Sequence, residues 1–321
     1  MNKRFASVRV IVALSLLLAG VAQAQRVQPE PKFLRFVPDK NGGGVLQTSI
    51  VTYQNAAGKR VDLIGAVHIA DQRYFQDLNK TFEDYDSLLY ELVKPKDVVP
   101  GRGGVAAVRG KGERPLEWVG MIQEMLKSAL DLSFQLDEID YTKRNMVHAD
   151  LDTETFMQMQ ADRGESFLML MIQQMIHEMG RADAGANVNG MDVAGLIMAL
   201  QAPDSARQLK LVLARQFNQM EDMMSGFGGP NGTVIVTERN RAALTMLRKR
   251  LEAGDKKIGV FYGAAHLKEM EKDLTGLMGF KQVGEPKWLT AWDMTGTAAA
   301  AGVARPSTRP TTRPLDRQLT R

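Results

Sequence analysis

Residues 61–68 read Val61-Asp62-Leu63-Ile64-Gly65-Ala66-Val67-His68, an apolar, β-rich run that breaks at a glycine and ends on a histidine. Residues 258–266 repeat the arrangement as Ile258-Gly259-Val260-Phe261-Tyr262-Gly263-Ala264-Ala265-His266, with the histidine 198 positions further on. Each run leads into a helical pattern. Asp71 can cap a helix whose Tyr74, Phe75, Leu78 and Phe82 share one face, and Leu267, Met270 and Leu274 mark the other helix. A buried strand that turns into a helix is the repeating unit of an α/β sheet, whose sites gather outside the carboxyl ends of the strands. Both imidazoles fall there. Glycine at the strand exit permits a sharp turn or a close approach of another group to the backbone. If the two strands are neighbours in one sheet, the long sequence separation collapses to a short distance.

The rest of the body fits the same class. Residues 48–53 and 60–68 are β-rich runs separated by Asn55-Ala56-Ala57-Gly58, which predicts a hairpin. Residues 87–93 read as a buried strand with Glu91 inside it. Thr237 opens a helix with Leu244, Leu247 and Leu251 on one face, and residues 280–283 and 288–292 complete the strands. Between these halves, about residues 115–228 read as helical and rich in methionine: fourteen of the nineteen methionines lie from Met121 to Met224. Met171, Met175 and Met179 form one helical stripe, which predicts core packing by a flexible side chain or, alternatively, an adaptable surface for an apolar ligand or peptide. Gly101-Arg102-Gly103-Gly104 and Gly226-Phe227-Gly228-Gly229-Pro230 bound this block as loops, and neither ends in the Lys-Ser/Thr of a phosphate loop. The expected fold is α/β, a mixed sheet from two sheet-bearing halves with a methionine-rich helical insertion.

The net charge of +4 on 321 residues invites a nucleic-acid reading that its distribution removes. Residues 1–24 hold Lys3, Arg4 and Arg9 and no acid, and residues 301–321 hold five arginines against Asp316. Taking those eight bases from 41 and that one acid from 37 leaves 33 bases and 36 acids between. A slightly acidic body has no electrostatic reason to bind a polyphosphate backbone. The first end reads as an export signal: a basic start, an apolar run from Val10 to Ala19, and Ala22-Gln23-Ala24 before a cleavage point at Gln25. Cleavage there leaves no stable membrane anchor and implies a periplasmic or secreted protein. Residues 25–297 would then form the α/β domain. Residues 298–321, which repeat Thr-Arg-Pro, read as an extended tail.

The chain has four histidines and no cysteine. A metal here must therefore rest on imidazole and carboxylate, ligands suited to Zn, Mn, Co or Fe. Glu91, in Leu88-Leu89-Tyr90-Glu91-Leu92, is costly to bury unless it is paired, hydrogen-bonded or bound to a metal. Arg239, in Glu238-Arg239-Asn240, is its natural cationic partner or an oxyanion stabiliser. Two histidines and a carboxylate with an open position suit a divalent ion that activates water. Against that stand two blander readings: a hydrogen-bonded structural histidine at each strand end, and a plain Glu–Arg ion pair. His148 can serve as an accessory with Asp150 holding its tautomer, but a loop or helix-cap role is the expectation. His177 reads as solvated on its helix.

These segments resemble the TraB/PrgY/GumN/TIKI superfamily, whose members share a G-x-x-H after the first strand, a glutamate in the next, an E-R-N/D motif and a second G-x-x-H. Gly65-Ala66-Val67-His68, Glu91, Glu238-Arg239-Asn240 and Gly263-Ala264-Ala265-His266 stand in that order. The resemblance covers about residues 45–294; the middle matches only in being helical. It implies a fold related to the erythromycin-esterase and ChaN-like proteins. TIKI members resemble secreted metal-dependent peptidases, TraB and PrgY members are linked to peptide-pheromone shutdown, and many GumN-like members have no assigned activity. Carried over, His68 and His266 are metal ligands and Glu91 is a ligand or general base. Arg239 orients that carboxylate or polarises the scissile carbonyl. The H-E-x-x-H helix of zincins is absent.

The resulting expectation is an exported metal-dependent hydrolase, a peptidase acting on a peptide or small-molecule substrate. The alternative is a non-catalytic periplasmic protein that binds a peptide or apolar ligand through the methionine-rich helices. A cell-wall module acting through the arginine tail is a third class.

Overall fold

The hairpin expected at Asn55 is built by that side chain, whose Oδ1 accepts from the backbone N–H groups of Ala57 and Lys59. It joins β2 (Gly44–Gln54) to β3 (Arg60–Ala66) in antiparallel register, Ile50 opposite Ile64 and Gln54 opposite Arg60. The computed structural model describes residues 31–96, 98, 100, 129–165, 193–226 and 232–296. The expected leader, the Thr-Arg-Pro tail, the Met171–Met175–Met179 stripe and His177 lie outside these residues.

Strand β2 organises one side of the sheet. Its first half pairs with β1 (Leu34–Pro38) on one edge and β10 (Lys287–Asp293) on the other, and its end pairs with β9 (Lys281–Gln282). Beyond β3 the sheet turns parallel: β8 (Lys257–Gly263) pairs with β3, then β5 (Ser87–Tyr90) with β8, and β7 (Met146–His148) with β5. The result is an eight-stranded mixed sheet ordered β1-β2-β3-β8-β5-β7. A small ladder of β4 (Ile69–Ala70) and β6 (Ser133–Phe134) stands beside it.

Seven α-helices are described: α1 (Gln72–Phe82), α2 (Gln135–Glu138), α3 (Thr153–Arg163), α4 (Val193–Gln201), α5 (Ser205–Gly226), α6 (Arg239–Glu252) and α7 (Ala264–Gly276). Helix α1 buries Tyr74, Phe75, Leu78 and Phe82, and α7 buries Leu267, Met270 and Leu274, as the periodicity requires. Strands β3, β5 and β8 are buried almost throughout, so they read as continuous apolar runs rather than alternations. The exception, Asp62, is 1% exposed and fully partnered: Arg60 donates from Nε and Nη2, and the Tyr85 hydroxyl donates at 2.8 Å. No described helix is long and apolar enough to cross a membrane.

Four expectations are corrected. The strand expected over 87–93 stops at Tyr90. Glu91 still donates its N–H to Phe261, but the chain then leaves the ladder, which frees the carboxylate to find partners. Asp71 sits at the N-cap of α1 without capping it: its carboxylate instead accepts from the N–H of Asp293 at 2.6 Å and from Lys210. Helix α6 begins at Arg239 rather than Thr237, because residues 234–238 form a π-helical turn capped by the Thr233 side chain. The middle block is not uniformly helical, since it supplies β6 and the sheet strand β7.

Candidate functional site

Because β3, β8, β5 and β7 all run parallel, their carboxyl ends share one edge of the sheet. Along that edge the sequence delivers, in spatial order, His68 after β3, His266 after β8, Glu91 after β5, and His148 with Asp150 at β7. Register fixes the alignment, with Ala66 opposite Gly263 and Tyr90 opposite both Phe261 and His148. Of the four positions expected to converge, Glu91, Arg239 and His266 are in contact, and His68 stands at the neighbouring strand end. The fields of both histidines reach Glu91.

Glu91 is held on both oxygens. Its Oε1 accepts from Arg239 Nη2 at 2.7 Å and lies 3.5 Å from His266 Nε2, while Oε2 accepts from the Gly263 N–H at 2.6 Å. Gly263 opens α7, so this carboxylate also meets the positive end of a helix dipole. A Cβ on Gly263 would press on Oε2 at 3.2 Å, and one on Gly65 would stand 3.1 Å from the Phe33 carbonyl. Both motif glycines thus serve close approach. Burial alone would raise the Glu91 pKa, but Arg239, the two imidazoles and the Gly263 N–H reverse that and hold it well below the usual carboxylate range.

Arg239 bridges two carboxylates. Its Nε and Nη2 also bind Asp150, which is fully buried, at 3.0 and 2.6 Å. Asp150 is the residue sequence reasoning misplaced: it holds Arg239 and not the His148 ring. His148 instead hydrogen-bonds the Leu92 carbonyl through Nε2 at 2.7 Å, at a strand end rather than in the expected loop or cap. Within the Glu91–Arg239–Asp150 triad the charges sum to minus one.

The two motif histidines differ in exposure and share a pattern of support. His266 is buried, and its Nδ1 lies 2.7 Å from Asn240 Oδ1, while Asn240 Nδ2 donates to the His266 carbonyl. His68 is exposed, with Nδ1 3.2 Å from Gln135 Oε1, and the Gln135 N–H donates to the His68 carbonyl at 2.8 Å. Gln135 Nε2 donates onward to the Tyr141 hydroxyl. Asn240 was visible only as the last residue of Glu238-Arg239-Asn240, and nothing in the sequence singled out Gln135. Glu238 turns away to Arg163 and Arg241. The Tyr262 hydroxyl donates to the Ala149 carbonyl and locks the loop that carries Asp150.

Burial lowers the His266 pKa to about 4 and pushes His148 below its ordinary value. In the unfolded chain both imidazoles take up a proton near pH 6.5. The unfolded state therefore binds more protons over the interval below that, and stability falls as pH drops from about 6.5 towards 4. Thermal melts of metal-free protein should show this loss, and His148→Gln should show a smaller one. Equal losses in the two proteins would mean that His148 titrates normally.

Among the described residues no group of three or more His, Asp or Glu side chains is spaced to hold a metal ion. No protein-family model, curated protein or solved structure matches the chain.

Proposed function

We propose that this chain is an exported metal-dependent hydrolase acting on peptide bonds, a member of the TraB/PrgY/GumN/TIKI superfamily on an erythromycin-esterase and ChaN-like version of the mixed α/β fold. Export rests on the leader pattern of residues 1–24. The family assignment rests on the order of the four motifs.

One observation carries the catalytic reading. Asn240 Oδ1 can only accept, so it takes the Nδ1 proton of neutral His266, and the bare Nε2 then faces Glu91 Oε1 at 3.5 Å. Oε1 already accepts from Arg239, and its 3.5 Å separation from Nε2 leaves room for a second positive charge between these two electron-rich atoms. At neutral pH a proton on His266 does not supply it, because burial holds that imidazole near 4. A divalent ion would, and the 3.5 Å spacing of Nε2 and Oε1 fits two ligand atoms of one such ion. The residual negative charge of the triad favours the same occupant. His266 and Glu91 would hold the ion, and His68, exposed at the next strand end but not spaced with them as a ligand group in this structure, is the third ligand that the motif order offers.

A divalent ion bound there supplies Lewis acidity, which acidifies water and polarises a carbonyl. The chain's own groups do the rest. Glu91, held far below the usual carboxylate range, is a weak base and a good anionic ligand, so its geometry favours the ligand role. Arg239 has Nε and Nη2 committed to carboxylates, which favours orienting Glu91 over polarising a substrate carbonyl. The exposed His68 marks the side from which substrate and water arrive.

Incubation of purified protein with an unstructured peptide mixture should give cleavage that a chelator stops and a divalent ion restores. Cleavage unaffected by the chelator would refute the metal dependence, and no cleavage with any of Zn, Mn, Co or Fe added would refute peptide hydrolysis.

A further inference from the structure

We propose that Gln135 and Asn240 are the positioning residues of the paired imidazoles, each using a carboxamide oxygen to fix its histidine as the Nδ1–H tautomer and so turn a bare Nε2 towards the site. The same clamp occurs twice. At His266, Asn240 accepts the ring proton on Oδ1 at 2.7 Å and donates Nδ2 to that residue's own carbonyl at 3.3 Å. At His68, Gln135 accepts the ring proton on Oε1 at 3.2 Å and donates its backbone N–H to that residue's carbonyl at 2.8 Å. Each histidine is thus gripped at ring and main chain by one residue, which fixes both rotation and tautomer.

The Asn240 amide orientation follows from the second contact that side chain makes. Asn240 Nδ2 faces the His266 carbonyl, an obligate acceptor, so Oδ1 must face the ring. Gln135 Nε2 lies 2.9 Å from the Tyr141 hydroxyl, which can donate as well as accept, so the His68 arm of the clamp rests on Oε1 standing 3.2 Å from Nδ1. Asn240 is 1% exposed against a buried His266, so water cannot substitute for that contact, and Gln135 is 4% exposed. The two residues come from unrelated elements, α2 and α6, and converge on one orientation. A carboxamide does this without adding charge, whereas a carboxylate in the same place would make the imidazole more basic.

The hydrogen bonds require the tautomer at His266 and accommodate it at His68; their use in holding a metal rests on the hydrolase reading above. Nitrogen-15 imidazole spectra of metal-free protein at about pH 8, above the ordinary imidazole range, read the tautomer directly. Wild type should show Nδ1–H at both His68 and His266, against the Nε2–H form that free histidine prefers. Asn240→Leu should convert His266 to Nε2–H, which can then donate to Glu91 Oε1, and Gln135→Met should convert His68. Asn240→Asp and Gln135→Glu keep an acceptor and should keep the tautomer. Each apolar variant should weaken Zn²⁺ binding by roughly 10–100-fold, and the acidic variants should recover most of it. Nε2–H at either histidine of wild type, or Nδ1–H persisting in the apolar variants, overturns the clamp. If those variants fail to fold, the spectra of wild type and of the acidic pair decide. Correct tautomers in a protein that binds no Zn²⁺ would leave the clamp standing and sink the metal reading.

Discussion

Arg239→Ala should cost the fold about 3–5 kcal/mol, because it leaves two buried carboxylates without their shared cation. Glu91 and Asp150 side chains are 9% and 0% exposed, and Arg239 itself is 12% exposed. Side chains buried to that degree leave little solvent access to take over the lost charge pairing. Asp150 would keep no cationic partner from the triad, and Glu91 would keep only the Gly263 N–H and the His266 edge. Arg239→Lys should recover only part of the loss, since an ammonium cannot reproduce the fork that serves both carboxylates. Removing the charges together, as Glu91→Gln, Asp150→Asn and Arg239→Met in one chain, should destabilise less than Arg239→Ala alone. Urea denaturation midpoints of these variants measure the effect. A cost below about 1 kcal/mol for Arg239→Ala would place the cluster in water, as for an exposed pair.

The second large effect is catalytic. His266→Ala and His68→Ala should each lower peptide cleavage by more than about 100-fold, above the range for losing an outer partner of a metal ligand. His266→Ala also opens a cavity beside Tyr262, whose ring lies 5.4 Å from the imidazole, so it should lower stability as well. His68 is exposed, so His68→Ala should fold as wild type does and isolate the chemical loss. The fall should appear in kcat/KM, measured alongside a melt of each variant. Full cleavage by a folded His68→Ala protein would exclude that imidazole from the reaction.

The strands of the site were legible because burial leaves a plain mark. Residues 61–66, Asp62 apart, and 258–262 are apolar on both faces, and a glycine before a helical pattern announces the turn at the carboxyl edge. Glu91 stood out because a carboxylate in an apolar run demands a partner. Asp150 was not legible, since β7 has three residues, too few for a period, inside a block whose composition reads as helix. Pairing with β5, not propensity, makes it a strand. Asp71 looked like a cap by position, yet its partner is the N–H of Asp293, 222 residues away, which no local pattern contains. Gln135 was hidden for the same reason: its role depends on the β4–β6 ladder that sets Phe134 opposite Ile69. The doubled edge of β2, with β1 and β10 on opposite sides, is likewise a long-range fact.

If the edge formed by His68, His266 and Glu91 holds a divalent ion, elemental analysis of the purified protein reads it out. Protein purified without metal-affinity resin or chelator should carry about one equivalent of a divalent ion per chain, the occupancy of a single site. His68→Ala and His266→Ala should lose it while keeping the fold. A metal-free wild type that takes up no Zn, Mn, Co or Fe on titration, or metal content unchanged in both variants, would contradict a metal at that edge.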